Sequence, residues 1–362
     1  DEFSDQPVKI AIVHDYLTQR GGAERVVLSM MKAWPGAPVY TSLYEPDGAF
    51  PDFKGADIRV LPLNRVPAFR RNHRAALPFL ARAFSRLEVP ADVVVCSSSG
   101  WAHGVKTQGR KIVYCYTPAR WLYQTDRYLG TGHPLARTAL QAMAPGLRRW
   151  DGTAAATASA YFAISSAVQT RVQQIYGIDA QVLTPPHAVD PAGPRLAVSN
   201  VAPPFFLSVT RLLPYKNVDA LLEAFWALPK DQLLVVGAGP EQKRLQKQAP
   251  GNVRFLGTVS DEQLRWLYSN CEALISPSHE DLGLTPLEAA TFGKPSAVLK
   301  WGGFLDTVKE GVTGVFFEEP KAGPIAAAVA ALRKANLEPQ PIISHAEQFS
   351  EPIFINRLRE IV

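Results

Sequence analysis

Two carboxylates, Glu280 and Glu288, stand with seven residues between them in Ser276-Pro277-Ser278-His279-Glu280-Asp281-Leu282-Gly283-Leu284-Thr285-Pro286-Leu287-Glu288. An apolar run, Ala273-Leu274-Ile275, precedes them and reads as a buried strand; a helix reads from about Thr285 onward. Thr285 with Glu288 three residues later is the spelling of a capping box, and Pro286 suits a first helical turn. Capping alone uses Glu288 and leaves Glu280 unexplained. The chemical alternative uses both: carboxylates accept hydrogen bonds from sugar hydroxyls, while free N–H groups of the loop and first turn can hold a phosphate. A ligand with hydroxyls and phosphates would use every part.

Cations stand at a second strand exit. Thr210-Arg211-Leu212-Leu213-Pro214-Tyr215-Lys216-Asn217 follows the apolar run Phe205–Val209. A pyrophosphate can engage both Arg211, as a planar fork, and Lys216, as a compact charge. The structural alternative is a pair of surface charges beside a helix start. Gly237 and Gly239 follow the next strand, where a glycine turn lets a ligand approach backbone.

The first half has its own polar strand exits. His14, Asp15 and Tyr16 leave the strand Val8–Val13, and Gly21-Gly22 then precede a helix. The order strand, glycine turn, helix brings backbone near a phosphate or sugar, although no dinucleotide fingerprint is present. Ser97 to Gly104, with His103, and Tyr116 to Trp121, with Arg120, follow two further strands. Each could be structural alone; together at one sheet edge they would line a pocket.

The elements that must carry these residues alternate. Strands are expected at Val8–Val13, Val39–Leu43, Ile58–Val60, Val93–Cys96, Lys111–Tyr116, Tyr161–Ile164 and Gln181–Leu183, with helices between them near Ala23–Trp34, Ala75–Leu87, Leu135–Ala160 and Ala167–Tyr176. A Pro-rich stretch from Thr184 to Pro204 reads as a linker, and a second series of six strands follows from Phe205 to Phe317. Alternation predicts α/β architecture with parallel, doubly wound sheets. A chain of 362 residues exceeds one ordinary core, so two domains are expected, residues 1–190 and 203–349, with a C-terminal helix at about 350–362 returning to the first.

Charge is uneven. Before residue 191 lie 21 of the 38 Lys and Arg but 15 of the 33 Asp and Glu, so the net +5 belongs to the first half. Arg65, Arg70, Arg71, Arg74, Arg82 and Arg86 fall between Asn64 and Leu87 without an acid, interleaved with Phe69, Phe79 and Phe84. This reads either as a solvated helix face or as a surface for anionic lipid headgroups. The near-neutral second half and the lack of a matching motif argue against nucleic acid. No apolar run is long enough for a membrane span. No secretory leader is read, and Asp1 to Gln6 reads as a ragged end. Cys96, Cys115 and Cys271 sit in or beside apolar runs without metal spacing, as reduced core thiols of a cytoplasmic protein do.

Ser208-Val209-Thr210-Arg211 with Lys216, Gly237-Ala238-Gly239-Pro240, Glu280-x7-Glu288 and Gly293-Lys294-Pro295, in this order, resemble the retaining GT-B glycosyltransferases of family 4. His14-Asp15-Tyr16, Gly21-Gly22-Ala23-Glu24-Arg25 and Tyr114-Cys115-Tyr116-Thr117-Pro118-x-Arg120 resemble its bacterial polysaccharide and O-antigen mannosyltransferase branch. The resemblance implies two Rossmann-like domains facing a cleft, the second for a sugar nucleotide and the first for an acceptor. It implies a metal-independent, cofactor-free hexosyl transfer, from GDP-mannose or a UDP-sugar, to a glycan or lipid-linked hydroxyl at the inner membrane face.

In that scheme Glu280, Arg211 and Lys216 carry catalysis. Gly21, Gly22, Gly237, Gly239, Gly283, Leu284, Thr285 and Glu288 bind donor. His14, Asp15, Tyr16, His103, Tyr116 and Arg120 line the acceptor and sugar pocket. Tyr116 departs from the branch, which has His in this motif, and Tyr123-Gln124 depart from Trp-Asp. A phenol bonds a hydroxyl but does not titrate near neutrality. Two other readings are a nucleotide-sugar epimerase of the same architecture and a non-catalytic nucleotide-sugar-binding assembly subunit.

Overall fold

A computed structural model describes residues 7–124 and 134–362, with the side chains of residues 134–137 left aside. The expected ragged end at Asp1 to Gln6 lies outside the described residues. The chain forms two compact units: residues 1–185 with Phe354–Val362, and Pro186–Ile353.

The first unit is a seven-stranded sheet, all of its pairings parallel. Its strands are β1 (Ile10–His14), β2 (Val39–Thr41), β3 (Ile58–Val60), β4 (Val93–Ser98), β5 (Arg110–Cys115), β6 (Ala160–Ala163) and β7 (Gln181–Val182), in the order β3-β2-β1-β4-β5-β6-β7. β4 is buried along its whole length, and it opens as an uninterrupted apolar run, Val93 to Cys96, and not as an alternation. Sequence order reverses between β1 and β4, so a crevice opens at their carboxyl ends.

The second unit repeats the plan. β8 (Phe206–Val209), β9 (Leu233–Val236), β10 (Val253–Gly257), β11 (Leu274–Ser276), β12 (Ser296–Leu299) and β13 (Gly314–Phe317) pair in parallel in the order β10-β9-β8-β11-β12-β13. The switch here falls between β8 and β11. Phe206, Leu233, Val235, Ile275 and Ala297 pack one face of this sheet against the Val218–Trp226 and Ala322–Ala335 helices.

One expectation is corrected. The Pro-rich stretch after Pro185 is packed on the second unit and is not a free linker. Leu196 N–H bonds Glu262 O at 3.0 Å, Arg265 Nε bonds Asp190 O at 3.0 Å, and Val198 is buried. The C-terminal segment holds two helices, Pro339–Glu347 and Glu351–Glu360, and the second, from Phe354 on, belongs to the first unit. Among the described residues no helix is long and apolar enough to cross a membrane.

Candidate functional site

The β8 and β11 exits are neighbours because their strands pair at the switch. Pro214–Lys216 makes a short 3-10 turn after β8, and Asn217 then adopts φ 54°. Asn is one of the few residues that tolerate this left-handed geometry. Its Nδ2 donates to Pro277 O at 2.8 Å and sits 3.0 Å from His279 Nδ1. His279 N–H donates to Tyr215 O at 3.2 Å. The two loops are thereby stitched, and Lys216 Nζ, largely buried, donates to Glu280 Oε1. Arg211 lies on the same exit, exposed.

The glycines around this pair serve the chain's own backbone. Gly237 has φ 126°, and a Cβ there would lie 1.9 Å from Thr210 O; at Gly239 it would lie 2.3 Å from Leu212 O. The β9 exit is pressed onto the Arg211 loop, with Leu212 N–H bonded to Ala238 O at 3.0 Å. The sequence reading of close ligand approach thus has a competing structural cause. Gly302 and Gly303, which sequence reasoning missed, do the same for Glu280. Cβ atoms there would lie 2.1 Å from Glu280 O and Leu282 O, and Gly303 N–H donates to Glu280 O at 2.8 Å. The signal was a Gly pair following β12, at the next strand exit.

Glu288 is placed differently from the capping-box expectation. The helix runs Thr285–Thr291 with Leu284 as N-cap and no side-chain cap, so Thr285 is its first residue and Pro286 its second. Gly283 at φ 73° turns the chain into it, and the helix starts one residue early. Glu288 Oε2 instead accepts from Tyr268 Oη at 2.6 Å. The amides of Leu284 and Thr285 stand at the opening turn, where N–H groups have no intrahelical acceptor.

In the first unit the structure brings together some of the expected pocket residues and closes others. His14, buried, has Nδ1 2.9 Å from Ser97 Oγ, which lies 2.8 Å from Tyr116 Oη; that phenol donates to Ala23 O at 3.2 Å. His14 Nε2 faces Glu24 Oε1 at 3.6 Å, a charge contact longer than a hydrogen bond. Burial pushes the His14 imidazole down, but the Glu24 carboxylate, with Asp15, outweighs it and holds the ring above its ordinary value. Burial likewise pushes Glu24 up, and His14 with the nearby amides outweighs it and holds the carboxyl below its ordinary value. Glu24 Oε2 also accepts from Gly21 N–H at 3.0 Å, at the start of the Gly22–Ala33 helix. That anion occupies the helix terminus where sequence reading placed a phosphate or sugar of the donor. Gly22 is open, with nothing near a built Cβ.

Asp15 and His103 are engaged within the fold. The Asp15 oxygens accept Ser99 N–H and Ala102 N–H, each at 2.7 Å. His103 bridges Ser98 Oγ at 3.0 Å and Asp151 Oδ1 at 2.8 Å, and Asp151 Oδ2 accepts from Tyr123 Oη and Tyr176 Oη, both at 2.7 Å. Both are buried, and these bonds hold β-strand exits in place. Tyr16 stacks on His73 with centroids 4.1 Å apart, and Arg120 is exposed at the start of a short helix, Arg120–Tyr123.

Residues 20–192 match the family model described as Glycosyltransferase Family 4, and residues 197–349 match Glycosyl transferases group 1. The chain is a GT-B glycosyltransferase family member. Curated relatives match this GT-B chain over its parts. The alpha-1,3/1,6-mannosyltransferase ALG2 of Dictyostelium discoideum is 34% identical over 137 residues, 30% of this chain and 33% of that protein. D-rhamnosyltransferase WbpZ of Pseudomonas aeruginosa is 39% identical over 102 residues, 26% of each. The chain thus spans about a third or less of the length of these curated relatives. Among solved structures, Anabaena Alr3699/HepE in complex with UDP and glucose superposes with TM-score 0.71 over 98% of this GT-B chain and 99% of that one, at 19% identity. Sucrose-phosphate synthase from Thermosynechococcus elongatus gives 0.70 at 16% identity. At such identities the likeness is one of fold.

Proposed function

We propose that this chain is a retaining glycosyltransferase that moves a hexosyl group from a sugar nucleotide to a hydroxyl of a glycan or lipid-linked acceptor. The observation that carries the reading is the Lys216–Glu280 pair at the β8/β11 switch, with Arg211 on the same exit. Open parallel sheets bind ligands at that point. A cation and a hydroxyl acceptor held side by side suit a molecule in which phosphate adjoins sugar.

In this reading Arg211 and Lys216 stabilise the departing diphosphate, with the first amides after Gly283, and no metal ion is required. Glu280 accepts from donor-sugar hydroxyls and Glu288 from the ribose. The acceptor oxygen bonds the anomeric carbon on the face from which the diphosphate leaves, and a phosphate oxygen of the leaving group takes the acceptor proton. GDP-mannose is the favoured donor and a UDP-sugar the other; ALG2 is a mannosyltransferase by name, and the HepE crystals held UDP and glucose. The first unit takes the acceptor at the inner membrane face, aided by exposed Arg82, Arg86 and Phe79.

The experiment is a titration with GDP-mannose, UDP-glucose and the free diphosphates, followed by melting temperature, and then an assay for diphosphate release with and without EDTA. A ligand that binds only the folded chain raises the melting temperature by mass action. Stabilisation by a nucleotide sugar with EDTA-resistant release supports the reading. Release that vanishes with EDTA and returns with Mg²⁺ overturns the roles of Arg211 and Lys216.

A further inference from the structure

The first unit holds a cleft of about 710 Å³ that the proposed chemistry does not use. It lies between the segment entering β5, the end of the Leu77–Arg86 helix at Ser85, and the Pro134–Ala156 helix. It borders the starting residues of β5, whereas His14, Ser97 and Tyr116 sit at or after the carboxyl ends of their strands. Its size suits a small molecule.

Three cations from separate elements line it, Lys106, Lys111 and Arg149, and no acidic residue does among the described residues. Lys106 and Arg149 are exposed. Lys111 is 4% exposed. Its Nζ donates to His103 O at 2.9 Å and Thr157 Oγ1 at 2.7 Å, both neutral acceptors. An ammonium has three N–H groups, so one is left over. Burying a cation without a counter-ion is costly, and desolvation holds the Lys111 amine below its ordinary value. Asp151, which pairs with His103, has its oxygens committed to His103, Tyr123 and Tyr176. Glu88 accepts from Gln108 Nε2 at 3.4 Å, at the rim.

One wall is aromatic and fixed. Trp150 Nε1 donates to Ser85 Oγ at 2.7 Å, and a Cβ at Gly104 would lie 2.4 Å from Trp150 Cζ2. The indole is therefore packed flush under Gly104 and offers a firm apolar surface beside the cations.

We propose that this cleft binds a small phosphate-bearing molecule, its phosphate held by Lys106, Lys111 and Arg149 and its remainder resting on Trp150. A phosphate can carry two charges and present three acceptor oxygens, so it answers several cations where a carboxylate answers one. The site does not depend on the donor reading.

The test is calorimetric titration of the full chain with inorganic phosphate and with glycerol 3-phosphate. A parallel arm measures sedimentation with phosphatidylglycerol vesicles. The variants are Lys106→Gln/Arg149→Gln, both exposed and so neutral to folding, Lys111→Met, and Arg211→Ala as a control at the other site. A soluble ligand is indicated by binding at least tenfold weaker in the double variant and unchanged in Arg211→Ala. Loss of vesicle binding in the double variant, with no soluble binding to lose, assigns the phosphate to a lipid headgroup. Wild-type behaviour of the double variant in both arms overturns the proposal, whatever the donor site does.

Discussion

Lys216 and Glu280, from the exits of two neighbouring strands, neutralise each other. Under the proposed function a donor phosphate must take Lys216 from Glu280, and the carboxylate is then released toward the sugar. Each residue therefore competes with the ligand for the other.

Glu280→Ala should abolish most turnover while leaving affinity for the free nucleoside diphosphate unchanged or a few-fold tighter, because Lys216 no longer has an internal partner. Calorimetry with GDP and UDP beside a turnover assay checks this. Diphosphate binding lost with Glu280 would show that the carboxylate only positions the lysine.

Arg211→Ala and Lys216→Ala should each weaken diphosphate binding by about 1.5–3 kcal/mol, the scale of charge-assisted hydrogen bonds. Lys216→Ala should also lower the melting temperature, since it leaves a partly buried Glu280 without its cation. Exposed Arg211 should not. Equal stability losses would contradict the difference in burial.

Gly302→Ala should destabilise by roughly 2 kcal/mol or more, because it combines φ 58° with a Cβ 2.1 Å from Glu280 O. Turnover should fall with it, since that carbonyl belongs to the Glu280 loop. Denaturant unfolding of wild type and variant gives the number; an unchanged midpoint refutes the close packing.

The His14–Glu24 contact gives a pH dependence with a defined sign. The imidazole is held above 6.5, so its stabilisation is complete below 6.5 and is lost as pH rises through the raised value. The carboxyl is held below 4.5, so its stabilisation is complete above 4.5 and is lost as pH falls through the lowered value. The stability gap between wild type and His14→Gln should be widest between these limits and should narrow toward alkaline pH. A gap independent of pH, in unfolding curves from pH 4 to 9, would show that packing alone is at stake.

Membrane attachment, if electrostatic, should rest on the arginines outside internal pairs. Arg70 is engaged by Glu45 at 3.3 Å and donates to Asn64 O at 2.6 Å, so Arg70→Ser should cost stability. Arg71→Ser/Arg82→Ser/Arg86→Ser should instead reduce sedimentation with anionic vesicles, at roughly 1 kcal/mol per cation, and spare the melting temperature. Equal partition onto neutral vesicles would rule out the charge.

Strand placement was legible because buried parallel strands are written as uninterrupted apolar runs, as Val93 to Cys96 and Leu233 to Val236 are. Lys216 and Glu280 were legible as site residues but not as partners; their meeting depends on β8 lying beside β11, which is a fact of strand order. The internal partners of Asp15 and His103 were not legible for a related reason. A buried polar side chain and a ligand-binding one are spelled alike, and only the amides of Ser99 and Ala102, or Asp151, show which it is. Thr285 misled because Leu284, with no side-chain oxygen, holds the cap position. Lys111 gave no signal at all, lying at the start of an ordinary strand.

The return of Phe354–Val362 to the first unit has a temporal consequence. Phe354 is buried beside Tyr114 with ring centroids 6.0 Å apart, Arg359 Nε donates to Ala33 O at 3.0 Å, and Arg110 Nη1 reaches Val362 O at 3.3 Å. On the ribosome, domains generally fold in order of emergence. Here the amino-terminal sheet emerges first yet lacks its last helix until translation has passed through the whole second unit. Residues 186–353 can close on themselves while the earlier sheet still waits, its Tyr114 without the Phe354 ring that packs beside it.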